Sequence, residues 1–351
     1  MKKFLAKKRD KAKKQIPTRI TNETVAEHRE RILAGGRRFK YPMQYARHRL
    51  VINTIIVTVT ALVLLVVFGW WQLYSAQNTS DFFYRVTRIL PLPVASVQSE
   101  QIRYSDYLMY FNSSAHYLRQ SEQLNLASED GKRQIDYVKR KSMDTVIADA
   151  YARKLAREKN ITVDEAKVDE VISNDRNTAN GRISQETYDA SAMNILGWAP
   201  DEYRHDAKSK LIRQEVSYAI DENAKKTKEA AAELMKTETD FAKVAAQLGG
   251  EGTAKVTVGA SGLVPRTNRD GGLSEAAAKL EKGKISDAIK TTTGDGYYFV
   301  RLLEDSGSQI SYEYLRIPLT EFNKQLSALK NDGSIKEYIS VPKLDTTQVT
   351  R

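Results

Sequence analysis

The sequence predicts an α+β protein in which one apolar segment separates a basic tail from a body that is helical first and sheet-forming later. Residues 50–74 contain no charged residue, no His and no Pro. Residues 201–248 contain neither Gly nor Pro and are rich in Ala, Glu and Lys, a composition that favours long helices. From Gly249 onward, glycines punctuate β-branched and aromatic residues, which is the pattern of strands joined by turns.

The apolar segment at residues 50–74 has the length of a membrane-spanning helix. At a rise of about 1.5 Å per residue it reaches roughly 37 Å, more than the ~30 Å thickness of the hydrocarbon layer. Trp70, Trp71 and Tyr74 lie together at one end, where aromatic side chains settle among lipid headgroups. A cleaved signal peptide is the alternative, but its apolar core is usually about half as long. We therefore expect an uncleaved anchor.

The charges predict the orientation of this anchor. Residues 1–49 hold 16 Lys and Arg against four Asp and Glu, whereas the remainder holds 39 and 40. By the positive-inside rule, residues 1–49 form a cytoplasmic tail and the body after Tyr74 is extracytoplasmic. This makes the protein a single-pass protein of the cell membrane.

The basic tail offers a contact for anionic lipid, since each basic residue near an acidic leaflet contributes about 1 kcal/mol. The alternative is a topology signal that also serves as a solvated tether. No specific nucleic-acid partner is expected, because the excess positive charge is confined to the tail.

Residue types exclude several kinds of chemistry. The chain has no Cys, so disulfides, thiolate nucleophiles and lipid-modified cysteines are excluded. No metal-ligand spacing is visible in the sequence, and the glycine-rich stretches GGEG and GDG are interpreted as turns. We expect neither a metal nor a cofactor. His205 beside Asp206 is interpreted as a surface pair, because adjacent residues of a helix point in different directions.

Local signals predict the elements of a helical domain over residues 75–236. A polar spacer at 78–80 precedes a β-branched and aromatic run, 82–90, interpreted as a strand. Helices are predicted from N-caps and from apolar periodicity, at 22–33 in the tail, from Ser105, at 135–159, from a Thr162–Glu165 capping box, and at 185–196 before Gly197.

The region after Asp240, which offers a helix N-cap, is predicted to form an α+β domain over residues 237–340, followed by a tail at 341–351. Short helices are predicted at 240–248 and 274–283, and a closing helix at 320–331. Strands are predicted where β-branched and aromatic residues follow glycines, at 255–258, 263–266, 285–291, 297–303 and 310–319. Gly259 and Gly262 are predicted to permit close packing, and Gly283 to adopt a left-handed conformation.

These elements resemble exported foldases of the SurA, PrsA and PpiD kind over about residues 94–340. In the helical part, the resemblance rests on residues 94–102, 143–172 and 194–216. In the later part, it rests on four motifs in the family's order: DFAKVAAQL, GASGLVPR, SEAAAKLEKGKIS and GDGYYFVRLL. The resemblance implies a helical chaperone region that binds unfolded exported polypeptides and a parvulin-type peptidyl-prolyl isomerase domain.

The sequence departs from the family where parvulins usually carry histidines. One of these positions is Tyr298, in Gly296-Tyr297-Tyr298-Phe299, and the first strand of the family is replaced by a helix-like stretch. The histidines all lie outside the parvulin-like domain, at His28, His48, His116 and His205. We therefore assign no catalytic residue and expect a degenerate parvulin-like domain with weak or lost isomerase activity.

The resemblance suggests Leu263, Leu273 and Tyr298 as what is left of an apolar groove for substrate. A sheet without its first strand would expose an edge, and residues 310–319 are hypothesised to fill the gap. The function expected is that of a membrane-anchored, extracytoplasmic folding factor. The alternatives are an active peptidyl-prolyl isomerase of parvulin type and a non-catalytic envelope scaffold.

Overall fold

In the computed structural model, the described residues are 20–40, 42–178 and 181–343. The chain divides into two units, Met1–Gln72 and Leu73–Arg351. The predicted α+β class is confirmed, since helices precede an antiparallel sheet. Residues 1–19 of the predicted basic tail and 344–351 of the predicted C-terminal tail lie outside the described residues.

The first unit contains helices α1 (Asn22–Lys40) and α2 (Pro42–Trp70). The helix predicted at 22–33 extends to Lys40 and includes Gly35 and Gly36, because a glycine inside a helix costs only about 1 kcal/mol. A helical stretch at His48–Ser75 is long and apolar enough to cross a membrane, which fits either a membrane span or a signal sequence. Within it, the Thr54 hydroxyl donates to the Leu50 carbonyl at 2.8 Å, so this polar side chain is satisfied inside the helix.

Helix α3 (Asp81–Ile89) follows a π-helical turn at Trp71–Ser75. The strand predicted over residues 82–90 was therefore wrong. Phe83 and Thr87, four residues apart, are buried on one face of α3. In a strand, Arg85 would lie on the same side as these two residues, but Arg85 is exposed, so the burial follows the period of a helix.

The helical region continues with a β-hairpin and a series of helices. Its elements are β1 (Pro93–Val97), β2 (Glu100–Arg103), α4 (Tyr104–Gln120), α5 (Glu129–Glu158), α6 (Glu165–Asp175), β3 (Asn177–Thr178), β4 (Gly181–Arg182), α7 (Gln185–Leu196), α8 (Pro200–Ile220) and α9 (Glu222–Leu234). Helix α7 ends as predicted at Gly197, whose φ of +68° is left-handed. The predicted capping box of α6 was wrong, since Asp164 rather than Thr162 caps it by accepting from the Ala166 amide at 3.2 Å.

The sheet region begins at α10 (Phe241–Leu248), which Asp240 caps as predicted. Its remaining elements are β5 (Thr257–Pro265), α11 (Leu273–Ala277), β6 (Ile289–Lys290), β7 (Gly296–Asp305) and β8 (Gln309–Pro318). The sheet order is β5-β8-β7-β6, and all pairs are antiparallel. The hypothesis that residues 310–319 join this sheet is confirmed, because β8 pairs with both β5 and β7.

Side chains alternate between the two faces of this sheet, as the period of two in a strand requires. Tyr297 and Phe299 of β7 pack with Phe241 of α10 on one face. Tyr298 and Val300 pack around α11 on the other. At Gly259 a Cβ atom would clash with the end of the Tyr314 side chain, as predicted, whereas at Gly262 nothing lies within 4 Å, so the prediction of close packing there was wrong. The predicted left-handed conformation of Gly283 is also confirmed, with a φ of +82°.

The chain returns to the helical region after completing the sheet. Helix α12 (Glu321–Asn331) places Phe322, Leu326 and Leu329 in the core formed by α4, α5 and β1. Strand β9 (Ile335–Glu337) then pairs antiparallel with β1. This differs from the prediction that α12 closes the sheet region. Both faces of the sheet already carry helices, so the apolar stripe of α12 is buried against the helical region instead.

Candidate functional site

The structure separates the three residues predicted to line a groove. Leu273 and Tyr298 lie in one core cluster, where Leu273 is only 5% exposed, whereas Leu263 on β5 is 56% exposed. The side chains of Val300 and Tyr312 fill the space around the first two. A substrate groove at these residues stays a prediction, and Leu263 is the member of the set that solvent reaches freely.

The hydroxyl of Tyr298 is held by a polar cluster around Asp295. It donates to Asp295 Oδ2 at 2.6 Å, and Arg316 Nε lies 3.1 Å from the same oxygen. Burial by itself raises the pKa of Asp295, but hydrogen bonds from Thr293, Tyr298 and Thr291 outweigh it and lower this pKa overall. Burial and the hydrogen bond to Asp295 raise the pKa of Tyr298. The phenol therefore stays neutral and engaged at neutral pH, and it cannot replace the acid–base behaviour of a histidine.

A second carboxylate fixes the position of Leu273. Asp270 Oδ1 accepts from the Ser274 amide at 3.0 Å, and Asp270 Oδ2 accepts from the Tyr312 hydroxyl at 2.6 Å. Burial raises the pKa of Asp270, but the hydrogen bonds from Ser274 and Tyr312 lower it overall. The ionised carboxylate thus holds the first turn of α11, and with it Leu273, against the sheet.

The helical region contains its own buried polar cluster. The Tyr110 hydroxyl on α4 lies 3.1 Å from Asp149 Oδ2 on α5 and 3.1 Å from Asp206 Oδ1 on α8. Arg213 Nη1 lies 3.0 Å from Asp149 Oδ1, and Lys210 Nζ lies 2.8 Å from Asp206 Oδ2. Burial raises the pKa of Asp149 despite the neighbouring Arg213. The cluster ties together three helices and makes the helical region a fixed frame.

Three exposed apolar side chains flank, in sequence, the residues that join α4 to α7. Tyr117 on α4 and Met193 and Ile195 on α7 are all exposed. The two helices are joined beside them, because His116 Nε2 lies 2.9 Å from the Asn194 carbonyl. We call Tyr117, Met193 and Ile195 the α4–α7 patch. Methionine adapts its shape easily, so a patch of this kind suits partners without a shared sequence.

Residues 43–217 match the family described as SurA-like N-terminal domain. The match covers 175 of the 351 residues and supports a SurA/PrsA-like family. A SurA-like domain suggests a chaperone-type folding factor, and domains of this kind are extracytoplasmic. The matched residues include the α4–α7 patch and end before the sheet region. No curated protein matches the chain significantly.

The SurA-like domain also has a polar cleft of about 260 Å³, lined by Tyr84 of α3 and by Asp106 and His205 among others. The predicted surface pair of His205 and Asp206 was wrong in one respect, because His205 is exposed while Asp206 is buried toward Tyr110. The pair is not a dyad, because the two side chains face different surroundings.

Sequence reasoning missed the α4–α7 patch. Helix α7 was predicted with its correct bounds, but it buries only Ala192. A periodic pattern indicates that a helix has an apolar side; it does not reveal how much of that side finds a partner.

Proposed function

We propose that this protein is a membrane-anchored, extracytoplasmic chaperone that binds unfolded exported polypeptides through the α4–α7 patch. The observation that carries the proposal is the match of residues 43–217 to the SurA-like N-terminal domain. Within it, α4 carries Tyr117 and is held by the buried polar cluster, and α7 carries Met193 and Ile195 and is joined to α4 at His116. Apolar side chains kept exposed on a rigid frame provide loose binding without a sequence requirement. The clients in this proposal are newly exported, unfolded polypeptides.

The membrane anchor in this proposal is the helical stretch His48–Ser75. Support comes from the charge difference across it, because residues 1–49 are strongly basic and the remainder is nearly neutral. Cells are stripped of any layer outside the cell membrane, while the cell membrane itself stays intact. Protease added to these cells should digest the chain beyond residue 75. Full protection of that part would contradict the topology.

We propose further that the sheet region is a degenerate parvulin-like domain with weak or lost isomerase activity. Two of its groove residues, Leu273 and Tyr298, are buried in its own core. An isomerase must hold a twisted imide in a preorganised pocket to lower a barrier of about 18–20 kcal/mol. The hydroxyl of Tyr298 is already bound to Asp295 and offers no free group for that task.

The predicted division into 1–49, 50–74, 75–236, 237–340 and 341–351 is retained with one amendment. We assign α12 and β9 to the helical domain, because the former packs in its core and the latter pairs with β1. The sheet domain is then an insertion between α9 and α12.

The test uses the full chain in lipid nanodiscs and measures aggregation of a chemically unfolded client protein. The double substitution Met193→Asp and Ile195→Asp should weaken client binding about tenfold, equivalent to ~1.4 kcal/mol of lost apolar contact. The matched control is the double substitution Val258→Asp and Leu303→Asp, which introduces the same charge at two other exposed apolar positions, on β5 and β7. Equal losses in both variants would contradict the assignment of the patch.

A proline-peptide assay on the same samples separates the alternatives. Turnover that falls on Leu273→Ala would support an active isomerase. Absence of both turnover and client protection would favour a non-catalytic envelope scaffold and would overturn the proposal.

A further inference from the structure

We propose that the exposed side of helix α3 rests on the outer leaflet of the membrane and forms a second contact beside the anchor. We call this side the α3 face; it consists of Phe82, Arg85 and Ile89, with Leu90 at the helix end. The inference rests on the proposed function, because it requires the His48–Ser75 stretch to span a bilayer. It adds a lipid-binding surface to the SurA-like domain.

The folded body begins without a linker after the apolar segment. Leu73 is 2% exposed in the helical core, and its carbonyl accepts a hydrogen bond from the Tyr104 hydroxyl at 2.7 Å. The Tyr74 hydroxyl donates to the Pro93 carbonyl at 2.7 Å. Trp70 lies only three residues before Leu73 in the sequence, and tryptophan settles at the headgroup level. Few residues therefore separate the aromatic end of the apolar segment from the first residue of the core.

Helix α3 lies close to this starting point along the chain and in the core. Five residues, 76–80, separate it from the π-helical turn, which limits the separation to roughly 20 Å. Phe83 shares the helical core with Leu73. The predicted polar spacer at 78–80 thus connects two segments that are both fixed to the same core.

One side of α3 is docked and the other is unpartnered. Tyr84 donates to Glu202, and Arg88 forms an ion pair with Asp201, both at the start of α8. On the α3 face, Phe82 is 68% exposed and Ile89 is 81% exposed. These two residues are seven apart, or about two helical turns, so they lie on the same side. The docking contacts prevent the helix from rotating this side inward.

The charge on the α3 face favours lipid over an apolar protein partner. Arg85 is exposed between Phe82 and Ile89, and no carboxylate in the described part of the chain forms an ion pair with it. Apolar side chains that flank a free cation are the composition of helices that lie in the interface of anionic membranes. If the side chains of Phe82 and Ile89 insert into the leaflet, both leave water, and the Arg85 guanidinium lies beside the lipid phosphates.

The experiment exploits the absence of cysteine from the chain. Single-cysteine variants of the full chain are labelled with an environment-sensitive fluorophore and reconstituted in vesicles of phosphatidylcholine and phosphatidylglycerol. Lipids that carry a nitroxide at a known depth in the bilayer quench a fluorophore at the same depth, so the quenching reports how deep each label lies. The Ile89→Cys label tests the α3 face, and the Val63→Cys label tests the anchor. The matched control is Ala230→Cys, at an exposed position of α9.

Shallow nitroxide lipids should quench the Ile89→Cys label about threefold more than the Ala230→Cys label. Leu90→Cys should behave like Ile89→Cys, which guards against a single misfolded variant. Adding Arg85→Glu should reduce the quenching in anionic vesicles and leave it unchanged in pure phosphatidylcholine.

Failure of this inference differs from failure of the anchor. If deep nitroxides quench Val63→Cys while Ile89→Cys and Leu90→Cys match Ala230→Cys, the α3 face does not touch lipid although the anchor stands. If Val63→Cys is not quenched, the anchor itself is wrong, and the inference falls with it. Quenching at Ile89 that does not respond to Arg85→Glu would overturn the role given to the headgroups.

Discussion

The helical region and the sheet region each contain an aspartate held by a tyrosine and an arginine, yet the two aspartates respond to their surroundings in opposite ways. Asp149 has a side chain that is 3% exposed, and burial raises its pKa. Asp295 has a side chain that is 37% exposed, and hydrogen bonds lower its pKa against the effect of burial. Access to water decides which effect dominates.

This difference shows that residue types alone do not determine how a polar cluster contributes to stability. A carboxylate whose folded pKa is lowered stabilises the fold above its unfolded pKa and loses this contribution as pH falls through the folded value. A carboxylate whose folded pKa is raised instead lowers the stability of the fold when it is ionised, because a buried charge is costly. A partner of opposite charge reduces this cost. Asp149 therefore depends on Arg213 more than Asp295 depends on Arg316.

The largest effect is expected for Arg213→Met, which leaves Asp149 buried without its partner. Loss of one member of a buried ion pair costs about 3–5 kcal/mol, so thermal unfolding of the helices should shift strongly downward. Hydrogen exchange in α5 and α8 measures this change in the full chain. The double variant Arg213→Met with Asp149→Asn is the control and should recover most of the loss. A mild effect of the single variant would contradict the dependence of Asp149 on Arg213.

A second comparison contrasts two residues of the predicted groove. Leu273→Ala removes a buried side chain and should lower the free energy of unfolding of the sheet region by about 3 kcal/mol. Leu263→Ala removes an exposed one and should change it by less than about 0.5 kcal/mol. Exchange protection of β7 and β8 is the measurement. Similar small effects at both positions would mean that Leu273 lines an open groove after all.

Acidification should separate the two regions. The pKa values of Asp295 and Asp270 are lowered, so the sheet region loses stability as pH falls through those values, below the usual ~3.9 of aspartate. The raised pKa of Asp149 makes its protonation favourable in the folded state, so the helical region gains stability as pH falls from that raised value toward the usual ~3.9, which is above the interval in which the sheet region loses stability.

Exchange measured between pH 6 and pH 3, corrected for intrinsic rates, should show the sheet region opening first. Asp295→Asn should cost about 1–2 kcal/mol at pH 7 and flatten this pH dependence. If the helices open first, the assignment of opposite pKa directions is incorrect.

The smallest effect is expected at two left-handed glycines, one in each region. Gly197→Ala and Gly262→Ala should each cost about 1 kcal/mol, because an L-residue at positive φ is strained. The cost should be greater at Gly197, where a Cβ atom would lie 3.3 Å from the His116 ring, than at Gly262, where nothing lies within 4 Å. Thermal unfolding compares the two; the reverse order would contradict the packing at His116.

The sequence by itself determined the elements whose signals are local. Helix α7 was predicted with its bounds, because its last residue is followed by a glycine that must be left-handed. The strand at 310–319 and its membership of the sheet were predicted from residue pattern and from the gap that a missing strand would leave, and the structure places it between β5 and β7. The apolar segment at 50–74 and the change from helices to strands near Gly249 were visible in composition alone.

Only the tertiary structure decided which surfaces are covered. Helix α3 is docked by Tyr84 to Glu202, a residue 118 positions away, and α12 buries its apolar side chains in the helical core. Burial of Leu273, exposure of Met193 and the pKa directions of the aspartates depend on the same distant partners. A local pattern specifies an apolar side or a charge, but the free energy of either depends on the atoms that replace water around it, and the fold brings these from far along the chain.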